Sequence, residues 1–219
     1  MSQETNRIGK LIFVPAVITL AVTMLRLVGE LQGWSKPLFN SEPGGGGALV
    51  GIAWLVPVFG AWFGWKLARA GSGPAGIGRA MGLSLLGLGV VPLAGFLAAK
   101  AGVPQQSLTT LGIFVVAAIV GVAIAMQAWP ALGRTLLGYG FAARVPVAVV
   151  MLLAMLGNWG THYDVAPPDF PAMSTLAKWF TIGLVPQLTI WIWYTIVFGG
   201  LFGIAAAAIA RRQPAPAVA

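Results

Sequence analysis

Apolar residues run through this chain in long blocks, and the polar residues gather in the gaps between them. The blocks cover residues 11–28, 48–65, 80–99, 108–129, 145–158 and 176–210. A helix that spans a bilayer needs about 20 mostly apolar residues. Six such blocks predict six spanning helices, with residues 213–219 expected as a disordered tail.

Two blocks leave a choice. The fifth is short. If it starts near Leu136, Arg144 lies inside the membrane. If it starts at Pro146, residues 131–144 form an interfacial helix. Proline suits a first helical turn, which favours the second reading. The last block is about 50 Å long as a helix and exceeds the ~30 Å hydrocarbon core. It is too short for two crossings, so it reads as one long helix, bent near Gly199 and Gly200. Arg7 and Lys10 before the first block resemble the start of a signal peptide. The apolar run is too long for that, and no small-x-small cleavage site precedes Arg26, so it reads as a retained first span.

Composition agrees. Hydrophobic residues make up 58% of the chain and charged residues 8%, against roughly 25% charged in soluble domains. Too little charge is available to cover a surface that faces water. The expected class is an all-α, polytopic transmembrane helical bundle, a single domain over residues 1–212, surrounded by membrane lipids.

The formal charge of +8 decides the threading. Basic residues stand at block ends, and cytoplasmic loops carry the excess of Lys and Arg. With the N-terminus inside, the inner side holds Arg7, Lys10, Lys66, Arg69, Arg79, Arg134, Arg144, Arg211 and Arg212. The outer side holds Lys36, Lys100 and Lys178, with Arg26 just below it. Both termini are therefore expected in the cytoplasm, across a bacterial-type inner membrane. Loops 30–47 and 158–175 then share the outer face. No basic cluster is interleaved with stacking aromatics, so nucleic acid is not an expected partner.

The absence of cysteine removes disulfides, thiol catalysis and cysteine-held iron–sulfur clusters. A lone histidine, His162, cannot build a multi-histidine metal site. No metal and no cofactor is expected.

The longest polar interruption, NWGTHYDVAPPDFP over residues 158–171, holds His162, Asp164 and Asp169. An imidazole and a carboxylate two residues apart can act as a proton-transfer pair. Prolines 167, 168 and 171 stiffen the segment, as befits a packed cap. Arg26 and Glu30 stand one helical turn apart on one face. Charges near lipid are costly and mark candidate sites. Glycines 44–47 could cradle an anion, but no Walker-type lysine and serine follow, which excludes a nucleotide P-loop. Trp34, Trp159 and Trp179 fit an outer aromatic belt, and Trp65 and Trp129 an inner one. Trp54, Trp62, Trp191 and Trp193 lie deeper. Leu-Val-Pro precedes a tryptophan at the same spacing twice, Pro57 to Trp62 and Pro186 to Trp191, a faint repeat. The patterns Gly60/Gly64 and Gly199/Gly203 let helices approach closely, within the chain or between subunits of a homo-oligomer or other partner.

The leading expectation is a non-enzymatic membrane protein. Its outer-face site, Arg26, Glu30, Trp34, His162 and Asp164, would bind a small ligand, a lipid head group or a partner subunit. One alternative is a facilitator with a path between spans 2 and 6, lined by Trp54, Gln187, Thr189 and Trp191. The other is a lipid-acting enzyme with His162 as base and Arg26 holding the anion. No span carries Asp, Glu or Lys at mid-depth, which argues against a carboxylate-relay pump.

Overall fold

The computed structural model describes residues 2–45, 47–168 and 170–211, with side chains from residue 8 onward. Asp169, Gly46, Arg212 and the 213–219 tail therefore lie outside the described residues. The described residues form six long helical elements, α1 (Ser2–Leu31), α2 (Leu55–Arg69), α3 (Ile77–Lys100), α4 (Leu108–Met126), α5 (Pro130–Gly157) and α6 (Thr175–Ala210), and a short 3-10 turn at Pro43–Gly45. No strand occurs among the described residues. Five helices are long and apolar enough to cross a membrane: Ile8–Leu31 within α1, then α3, α4, α5 and α6.

Local chemistry sets the ends. Ser107 caps α4, its Oγ accepting the Thr110 N–H at 3.1 Å. Pro130 opens α5 at a position where its missing N–H costs nothing. Asn158 closes α5 in the left-handed region, φ 49°, a conformation asparagine tolerates better than most residues.

Three expectations about helix bounds are corrected. Span 2 was placed at residues 48–65, but α2 is helical only from Leu55 and has 15 residues. The stretch before it is irregular. Pro57 sits in the first turn of α2 and Gly51 lies in the irregular stretch, so the helix starts late. Span 5 was placed at 145–158, with 131–144 as an interfacial helix. Instead α5 is one unbroken helix of 28 residues with Pro146 inside it. The first-turn proline is Pro130, and Arg144 lies within the helix. The bend in α6 is not at Gly199 and Gly200. The helix passes through a π-helical turn at Trp179–Leu184 and a break at Thr189, φ −126° and ψ −71°. Pro186 cannot donate to the ladder, and the irregularity spreads around it.

The packing is built on glycine. Gly60 and Gly64 of α2 face the backbone of Gly199 and Gly203 of α6, so closely that a Cβ at either α2 position would collide with it. Of the two uses open to these patterns, the intramolecular one is filled here. The pairing 60 with 199 and 64 with 203 makes α2 and α6 parallel. Gly87 of α3 faces Gly121 of α4 in the same way, and the Trp193 indole N–H donates to the Gly87 carbonyl at 2.9 Å. Phe59, Phe63 and Tyr139 pack edge to face, with centroids 5.5 Å apart for each pair with Tyr139. Tyr139 also shares a 2.8 Å hydrogen bond with Thr19 of α1. Large apolar side chains face outward, among them Leu86, Phe96, Val116 and Ile119, as a lipid-facing surface requires.

The ends of the bundle are distinct. Loop 158–174 meets the end of α1 through His162 and Glu30, and the Gln106 amide donates to the Pro168 carbonyl at 2.9 Å. At the opposite end the Trp129 indole donates to the Ser72 carbonyl at 2.7 Å, and Arg211 donates to Pro74. Loops 30–47 and 158–175 thus share one end.

Candidate functional site

Glu30 is the hub of the loop end. Its side chain is fully enclosed. The Arg26 Nε donates to Oε1 at 2.8 Å, and the His162 backbone N–H donates to Oε2 at 2.9 Å. His162 Nδ1 lies 2.6 Å from Oε1. Facing an ionised carboxylate, neutral imidazole carries its proton on Nδ1, which leaves Nε2 as the basic nitrogen. Burial holds the His162 imidazole below its ordinary value of about 6.5, outweighing the upward pull of the Glu30 hydrogen bond. Tyr163, whose ring lies tilted against His162 with centroids 3.9 Å apart, is pushed up by burial. Its hydroxyl donates to the Thr23 carbonyl at 3.3 Å, fastening the loop to α1.

Arg26 also binds its own loop. Nη2 donates to the carbonyls of Asn40 and Gly45 at 3.3 and 3.1 Å. Gly45 is at φ 79°, and any Cβ there would strike the guanidinium. The glycine run thus lets the chain fold onto Arg26.

Asp164 and Trp34 sit apart from this hub. Asp164 turns into its own loop, accepting the Gly160 N–H at 2.9 Å and the Thr161 N–H and hydroxyl at 2.7 Å each. Its backbone carbonyl receives the Lys178 ammonium at 2.5 Å. The carboxylate paired with His162 is Glu30, so the expected His162–Asp164 pairing is corrected. Asp164 instead closes a tight turn onto Gly160 and Thr161. Trp34 is exposed and packs edge-on against Phe39 at 5.1 Å.

Beneath the joined loops lies a cavity of about 550 Å³, within the 300–1,000 Å³ usual for small-molecule sites. Arg26 and His162 line it together with Trp54, Gln187 and Trp191. Residues read as two separate candidates, an outer site and a path beside span 6, share one chamber. Thr189 is outside it, its hydroxyl returned to the Val185 carbonyl at 2.6 Å. The irregular stretch before α2, including Ala48, Gly51 and Ala53, forms one wall. Non-helical backbone at membrane depth is tolerated where it lines a cavity. The uncapped N-terminal end of α2 also meets this wall, adding the positive end of its dipole.

The residue that sequence reasoning left out of the site is Arg144. It lines the cavity and is 3% exposed. It stands 13 residues before the end of α5, about 20 Å along the axis. Its Nη1 reaches Gln187 Oε1 at 3.5 Å, and its guanidinium lies 4.2 Å from the centre of the Trp191 ring. Nε and Nη2 have no hydrogen-bond partner among the described residues. The signal was present as the ambiguity over the fifth block. Hydropathy alone treats an internal arginine as a boundary, whereas a cavity lets one stay inside.

Among the described residues no Asp or Glu lines the chamber, and no group of three potential metal ligands exists. Long apolar helices around a cationic, partly aromatic chamber are compatible with a multi-pass integral membrane protein. No family model, curated protein or solved structure matches the chain.

Proposed function

We propose that this chain is a non-enzymatic integral membrane protein that binds a ligand in the chamber under loops 30–47 and 158–175. The observation that carries the reading is the chamber itself: about 550 Å³, roofed by loops that Glu30 ties together. A connector would not need such a roof. In this reading α2 and the irregular stretch before it make the second of six crossings. Lys66, Arg69, Arg79, Arg134 and Arg211 belong to the end opposite the chamber, so the positive-inside rule puts that end and both termini in the cytoplasm. The chamber then opens to the outer half of a bacterial-type inner membrane.

The test is native mass spectrometry of protein purified from its membrane. Wild type should carry a bound mass that Ala48→Trp, which fills the wall of the chamber, does not. A chain that carries nothing, or a mass retained by Ala48→Trp, overturns the reading.

A facilitator is the second reading, and one observation favours it. Another cavity, about 280 Å³ and lined by Leu11, Lys66 and Thr135, occupies the opposite end. Along α2 and α5, Phe59, Phe63 and Tyr139 fall between the residues that line the two cavities, Trp54 and Arg144 on one side and Lys66 and Thr135 on the other. Proteoliposomes that admit the bound compound only when they contain the protein would support it, and tight ones would remove it.

A further inference from the structure

We infer that the ligand of this chamber is an amphiphile with a single planar anionic head, a carboxylate seated on Arg144, and an apolar chain. The inference rests on the reading of the chamber as a ligand site and specifies the chemistry of its occupant.

Three observations converge. First, Arg144 is buried at mid-depth and has no acidic partner among the described residues around the chamber. An unpaired charge in a medium of low polarity is strongly unfavourable, and such groups are found paired or hydrated. Second, the unpartnered atoms are Nε and Nη2. These two N–H groups lie on the same edge of the guanidinium and point in parallel, the edge that receives both oxygens of a carboxylate. The remaining nitrogen, Nη1, is directed to Gln187, whose amide also reaches Met151 Sδ at 3.7 Å. Trp191 lies against the guanidinium and fixes its plane. Third, the surroundings are apolar. Val22, Ile52, Val147, Met151 and Ile182 line the chamber from four segments of the chain. A small hydrophilic anion would gain the head contact and lose its hydration with no return from these walls. An apolar chain gains from them at roughly 25 cal/mol per Å² buried.

Across the chamber from Arg144, the N-terminal end of α2 lines the wall and adds the positive end of its dipole. Arg26, paired with Glu30, and His162, a neutral imidazole, line the loop side. Arg26 spends Nε on Glu30 and Nη2 on loop carbonyls, so the seat for the head group falls to Arg144.

The full-length protein in nanodiscs of zwitterionic lipid provides the test, with oleate, its methyl ester and phosphatidylglycerol as probes. Oleate should bind at least tenfold more tightly than the ester, which has the same chain and no charge. Phosphatidylglycerol, a phosphate anion with two chains, should bind more weakly than oleate; tighter binding would overturn the carboxylate assignment. Arg144→Lys keeps the charge and loses the two-pronged edge, so oleate affinity should fall at least tenfold. Arg144→Met should abolish the preference for oleate over the ester while raising the melting temperature of the empty protein, because the uncompensated charge is gone. A misfolded variant cannot give that pair of results. Equal binding of oleate and ester to wild type, or unchanged oleate preference in Arg144→Met, would overturn this inference and leave the chamber as a ligand site. Failure of every probe together with no co-purifying mass would overturn the chamber reading itself.

Discussion

Glu30 does two tasks with one carboxylate. It neutralises Arg26 four residues earlier on its own helix, and it receives both the backbone and the ring of His162 from 132 residues away. Removing one partner of an enclosed ion pair is far costlier than the pair is worth, because the other charge stays behind. Glu30→Gln should therefore destabilise the protein by about 3 kcal/mol, read as a fall in resistance to denaturing detergent. His162 makes the same joint sensitive to acid. Its folded value lies below the ordinary one, so between the two values the unfolded chain holds a proton that the folded chain does not. Stability then rises with pH across the window just below about 6.5. The contribution is complete above that value and is lost as pH falls through the folded value. Melting temperatures from pH 5 to 7.5 should show this slope in wild type and a flatter one in His162→Gln. A steeper slope in the variant would contradict the assignment.

The helices show what apolar pattern can and cannot reveal. Gly60 and Gly199 were legible as small-residue patterns, and the structure sets them backbone to backbone. A methyl group at Gly60 meets main chain, which cannot swing aside, so Gly60→Ala should cost about 3 kcal/mol, the upper end for overpacking. Gly89 on α3 has open space around its Cα, and Gly89→Ala should gain up to about 1 kcal/mol from helix propensity. Opposite signs for the same substitution on two helices, measured by detergent unfolding, are the check. The long helices were readable because lipid demands unbroken apolar length. The start of α2 was not, since residues 48–54 are as apolar as a helix and only their packing around a chamber keeps them irregular. The continuity of α5 was hidden by Arg144, whose charge reads as a boundary until the cavity beside it is known. Of the candidate residues, Arg26, Glu30 and His162, which the structure brings together, stood out because polar residues are so sparse. The link between His162 and Glu30 could not, because it depends on how two distant loops meet. Hydropathy also gave no reason to join Trp54, Gln187 and Trp191 to them.

At the scale of the whole molecule, the ends differ in chemistry. One gathers Glu30, Glu42 and Asp164 around the roofed chamber, and the other carries Lys66, Arg69, Arg79, Arg134 and Arg211. A bilayer with a negative inner surface and an inward potential orders such a chain in one sense. The lack of any native cysteine makes this direct to measure, because each introduced thiol is the only one to react. Gln105 and Lys36 are exposed at the chamber end, and Ala75 is exposed at the other. In intact spheroplasts a membrane-impermeant maleimide should label Gln105→Cys and Lys36→Cys, and should label Ala75→Cys only after the membrane is opened. The same threading requires α2 to complete a crossing that its 15 helical residues alone, about 23 Å, do not span. The irregular stretch from Gly47 must supply the rest, at the depth where α6 carries Gln187 and Trp191. Lys36→Cys and Ala75→Cys bracket that crossing, and the structure sets their loops at opposite ends of the bundle, so their labelling from the same side would overturn the six-crossing threading.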